Sequence, residues 1–131
     1  MEYEQEFVLV SPATVAGEQF MQLLKVKKIP FAVIVNSQTD QLRYQKMGIE
    51  HVLVIDTQRQ ELWRIPELKI GKIYLFERSL PLCCRYIQIC RTWSSQQLYV
   101  ITEGNQSRLI YRGLGADYII HTNGSSASFL L

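Results

Sequence analysis

Apolar runs of strand length recur six times along this 131-residue chain, at Phe7–Val10, Phe31–Val35, His51–Asp56, Lys72–Phe76, Leu98–Thr102 and Tyr118–His121. Their apolar residues follow one another rather than alternating with polar ones, as in strands buried on both faces of a parallel sheet. Helical patterns fill the gaps. Between the first two runs, Ala13, Ala16, Gly17, Phe20, Met21 and Leu24 recur at three- and four-residue steps, and Pro30 closes that segment. Six strands alternating with five helices predict an α/β fold, a doubly wound three-layer parallel sheet. Right-handed crossovers favour strand order 3-2-1-4-5-6.

The remaining helices are expected from a polar turn at Asn36–Asp40 to about Met47, with Gly48 as the stop, and weakly around Leu62, Trp63 and Ile65, ended by Pro66. A further helix from about Leu80 to Trp93 places Cys83, Ile87 and Cys90 along one side, and a last one spans Ser107 to Leu114, closed by Gly115. Residues 1–122 read as one domain. Residues 123–131 read as a Ser-rich linker with an apolar tail, Phe129-Leu130-Leu131, expected to dock on something.

Composition narrows the function classes. A net charge of +2, with Lys25, Lys27 and Lys28 as the only basic cluster, argues against a nucleic-acid partner. No apolar run approaches a membrane span, so direct membrane insertion is not expected. The acidic start Met1–Glu6 is unlike a secretory leader, and three cysteines suit reduced thiols in the cytoplasm.

The strongest candidate site is the bend after the first strand. In a Rossmann-like sheet this bend meets a dinucleotide through glycines that allow the sharp turn, the close phosphate approach and the helix packing. Ser11, Ala13 and Ala16 are read at those places, with Pro12 between them removing an N–H donor. The amides of Thr14, Val15 and Ala16, with the Thr14 hydroxyl, still offer an anion site at a helix start. Asn36 and Ser37 end the second strand, where a carboxylate would grip a ribose, or serve only the turn itself. Asp56 and Thr57 end the third strand, either near a base or as a helix cap. A phosphoacceptor receiver domain would also place an acid there, but the acids and lysine it needs after the first and fifth strands are absent. Arg78 faces the same crevice and is available to an anion, or pairs with Glu77 on the surface. The cysteines lack zinc spacing, and His51 and His121 have no visible nucleophile partner.

The pattern resembles the TrkA-N (RCK or KTN) domain, the cytoplasmic Rossmann-type module that regulates potassium channels and transporters. The resemblance is carried by Phe7-Val8-Leu9-Val10 and its turn, Lys28–Val35, Met47-Gly48-Ile49 with Val52–Thr57, and above all Leu114-Gly115-Ala116-Asp117-Tyr118-Ile119-Ile120. It implies that NAD or an adenine nucleotide is held by Ser11, Ala13, Thr14, Ala16 and Asn36, with Asp56 and Thr57 on the base side. It also implies a homodimer and a membrane transport protein as partner. The expected function is non-catalytic ligand sensing with weak or altered nucleotide binding. Alternatives are a binding-dead scaffold for protein–protein contacts and an NAD(P)-dependent oxidoreductase, although no acid–base pair or substrate domain stands out for the last.

Overall fold

The computed structural model describes residues 5–57, 66–104 and 108–123. The elements run β1 (Glu6–Pro12), α1 (Val15–Val26), β2 (Phe31–Val35), α2 (Gln38–Lys46), β3 (Val52–Val54), β4 (Lys69–Phe76), α3 (Leu80–Arg91), β5 (Leu98–Thr102), α4 (Arg108–Leu114) and β6 (Tyr118–His121). The strands form one six-stranded sheet in the order β3-β2-β1-β4-β5-β6, and every pairing is parallel. This is the expected doubly wound topology. The helix expected around Leu62–Ile65 and the tail beyond Asn123 lie outside the described residues.

Several boundaries differ from expectation, each for a visible reason. Strand β1 runs on to Pro12 because Ser11 and Pro12 stay in register with Leu75 and Phe76 of β4. Only Ala13 and Thr14 are left for the turn, so α1 begins at Val15. Strand β4 starts at Lys69 rather than Lys72. Phe7 pairs with Ile70 but Leu9 with Ile73, so β4 carries one extra residue around Gly71. That bulge breaks the apolar run and hides the strand's first residues.

Helices cover both faces. On one, α3 and α4 bury Cys83, Ile87, Cys90 and Tyr111 against Leu9, Ile73, Leu75 and Val100. On the other, α1 sets Ala16, Phe20 and Leu24 against Val10, Tyr74 and Phe76, and Met21 joins Tyr44 of α2 over Val33 and Val35. Cys83, Ile87 and Cys90 are all buried, as their shared helix side predicts. Burial pushes the Cys83 thiol up to about 12 and raises Cys90 as well, so both stay protonated and unreactive. Beyond α1, Tyr74, Tyr99 and Tyr118 stack across β4, β5 and β6, with ring centroids 4.7 and 5.0 Å apart.

The Leu114-Gly115-Ala116-Asp117 motif is a clasp. Gly115 takes φ +121°, and Arg91 Cγ lies 2.7 Å from where a side chain would start, so only glycine fits there. Asp117 then accepts the Leu98 N–H at 2.8 Å and Arg91 Nη1 at 3.2 Å. These bonds tie the end of α4 and the start of β6 to the first residue of β5.

Candidate functional site

The site is built from the bend after β1. Thr14 is the N-cap of α1, and its hydroxyl accepts the Gly17 N–H at 3.1 Å. One of the amides at the helix start is thereby used internally. A Cβ at Gly17 would stand 2.8 Å from Pro12 Cα and 2.9 Å from Phe76 Cγ. Glycine there lets α1 press onto the ends of β1 and β4. That is the packing role assigned above to Ala16, which instead lies in the core at 4% exposure. The glycine spacing therefore falls on Pro12, Thr14 and Gly17, one residue later than Ser11, Ala13 and Ala16. Two of these places still lack glycine, and the third has it.

Side chains from α2 close over this bend. Tyr44 is buried, and its hydroxyl bonds the Pro12 carbonyl at 3.2 Å, with Glu18 Oε1 at 3.4 Å. Arg43 pairs with the same Glu18 carboxylate, and its guanidinium carbon sits 5.2 Å from the centre of the Tyr44 ring. The Glu18 hydrogen bond and charge raise the Arg43 pKa, whereas burial is the main cause raising that of Tyr44. The space left among Ser11, Ala13, Asn36, Asp40, Arg78 and Tyr86 is about 60 Å³. Ligand pockets usually offer roughly 300 Å³ or more. A dinucleotide does not fit here while Tyr44 and Arg43 hold these positions.

Beside this filled crevice lies an open groove of about 740 Å³, lined by Asn36, Thr57, Arg78, Ser79, Leu82 and Arg85. Arg78 and Arg85 make no hydrogen bond or ion pair with any described residue. The surface pair expected between Arg78 and Glu77 is not formed. Glu77 instead accepts the Thr102 hydroxyl at 2.6 Å and the Tyr111 hydroxyl, which turns its carboxylate toward β5 and α4. Ser79 caps α3 at a long 3.4 Å, and Pro81 has no N–H to give. Positive charge in the groove therefore comes from the two arginines more than from the helix start.

The predicted site residues thus divide. Ser11, Ala13, Asn36 and Arg78 line the crevice, and Asn36, Thr57 and Arg78 line the groove. Thr14 and Ser37 serve as helix caps, the latter accepting the Asp40 N–H at 3.2 Å. Val15 points outward at 72% exposure, and Asp56 is exposed past β3 without lining either space. Tyr44, Arg43, Glu18 and Arg85 were not singled out in the sequence. For Tyr44 and Arg43 the only local signal was a polar helix carrying one aromatic residue, and Glu18 on α1 and Arg85 on α3 had none. A separate cavity of about 300 Å³ opens at the amino edge among Phe7, Lys28, Phe31 and His51, away from these helix starts.

His51 packs edge-on against Phe7, and His121 bonds the Glu103 carbonyl at 3.0 Å. Among the described residues no group of three or more His, Cys, Asp or Glu could hold a metal ion, and no helix is long and apolar enough to cross a membrane.

No protein-family model matches the sequence, and no curated protein matches it. Solved structures do. The TrkA-N domain of the inner membrane protein ybaL from Escherichia coli is similar with a TM-score of 0.69 at 14% identity, over 92% of this chain and 90% of that one. The GsuK channel bound to NAD is similar with a TM-score of 0.71 at 12% identity, again over 92% of this chain. A GsuK mutant gives 0.68 at 11% identity. The chain spans only 22% and 32% of those two GsuK chains. Strand order, helix placement and these similarities agree: the chain has the Rossmann-type fold of TrkA-N domains.

Proposed function

We propose that this domain is a non-catalytic, ligand-sensing regulatory module, cytoplasmic and dimeric, that acts on a membrane transport protein. Its ligand is a small anion, and its nucleotide binding is altered relative to a dinucleotide site. The observation that carries this reading is the groove beside the filled crevice, where Arg78 and Arg85 make no hydrogen bond or ion pair with any described residue. The partner class comes from the similar structures, an inner membrane protein and an NAD-bound channel. Hydride transfer finds no support among the described residues, where no acid–base pair faces the groove.

The test is thermal unfolding with inorganic pyrophosphate, AMP, ADP, ATP, NAD and NADP in turn. A ligand present at 100 times its Kd stabilises the fold by about 2.7 kcal/mol, a shift of several degrees. The double substitution Arg78→Ala and Arg85→Ala is expected to abolish the shift. A second reading, a scaffold that binds no nucleotide, is favoured by the crevice filled with Tyr44 and Arg43. If no compound in the panel raises the melting temperature, the scaffold replaces the sensor.

A further inference from the structure

We infer that Glu18 acts as an internal substitute for a bound anion, holding Arg43 away from the ligand, and that a diphosphate-bearing ligand opens the bend by taking Arg43 over. This rests on the sensing role just proposed and names how that site is regulated. Glu18 lies in the first turn of α1 and Arg43 in the last turn of α2, 25 residues apart in sequence, so their pairing joins two helices across the mouth of the crevice. Arg43 also lines that crevice, as does Arg78, and Arg78 continues into the open groove. A ligand held by Arg78 and Arg85 therefore places negative charge within the space that Arg43 borders.

The exchange is feasible because the pair faces water, with side chains 53% and 31% exposed, and ion pairs of that kind are weak. Tyr44 does not share this freedom. Its ring is buried against Met21, Val33 and Val35, so α2 stays anchored while the arginine swings. Asp40 on the same helix also borders the crevice and repels an anion. It makes no hydrogen bond or ion pair with Arg43 and so supplies the control for a simple charge effect. The volume left at the bend excludes a dinucleotide, whereas the groove beside it accepts a compact diphosphate.

The test is calorimetric titration of the full chain with inorganic pyrophosphate and with ADP. Glu18→Gln is expected to tighten both by up to about fivefold, the full worth of an exposed ion pair. Asp40→Asn should tighten them less. In an Arg43→Ala background, Glu18→Gln should change affinity by less than about twofold, because the carboxylate then keeps only the Tyr44 hydroxyl and no arginine. Tightening that persists without Arg43, or that Asp40→Asn reproduces in full, overturns the inference. So does equal affinity of wild type and Glu18→Gln, which would leave the sensing role intact. If wild type and Glu18→Gln both bind neither compound, the inference and the sensing role fall together.

Discussion

Two strand-to-helix junctions stand side by side at the carboxyl edge of the sheet, one after β1 and one after β4. They share a plan and differ in what surrounds them. The first is tight: two turn residues, a cap at 3.1 Å, a glycine pressed on Pro12, and Tyr44 with Arg43 and Glu18 closed over it. The second is loose, with a cap at 3.4 Å, no donor at Pro81 and two arginines directed at nothing in the described structure. Topology places ligands at both. Side chains decide which one has room, and here the room has moved from the first junction to the second.

The largest expected effect tests the tight side. Gly17→Ala should destabilise the fold by about 3 kcal/mol, because the added methyl meets backbone and an aromatic ring rather than a flexible side chain. Differential scanning calorimetry should show a melting point lower by roughly 10 °C. An unchanged melting point would mean that α1 is not pressed onto β1 as described. The caps give a smaller and finer contrast. Thr14→Ala should cost about 1 kcal/mol in urea unfolding, as capping residues commonly do. Ser79→Ala, at the longer bond, should cost roughly half as much. If the two losses are equal or reversed, the junctions are held alike and the contrast between them is wrong.

The sequence made the sheet legible because each strand is a run of buried residues and each helix repeats its apolar face locally. Chirality rules supplied the strand order. The start of β4 was missed because the bulge at Gly71 interrupts the run, with Lys69 and Lys72 on either side. The candidate site was legible only as a location. Gly17 was visible in the sequence, but its importance depends on how closely α1 lies on Pro12, which no local spacing records. Tyr44 reaches Pro12 across 32 residues, and Glu77 reaches Tyr111 across 34. Contacts so distant in sequence depend on packing, so the closing of one crevice and the freeing of Arg78 were both out of reach.

The stacked tyrosines on β4, β5 and β6 carry an optical consequence. Rings held nearly parallel, at 6° and 19°, form a chiral array that should contribute to the near-ultraviolet circular dichroism. The outermost, Tyr118, is 49% exposed at the rim of the sheet. Anything that covers that rim or peels β6 away would alter the tyrosine band while leaving the far-ultraviolet helix signal almost unchanged. The protein thus contains its own label-free gauge of what happens along β6.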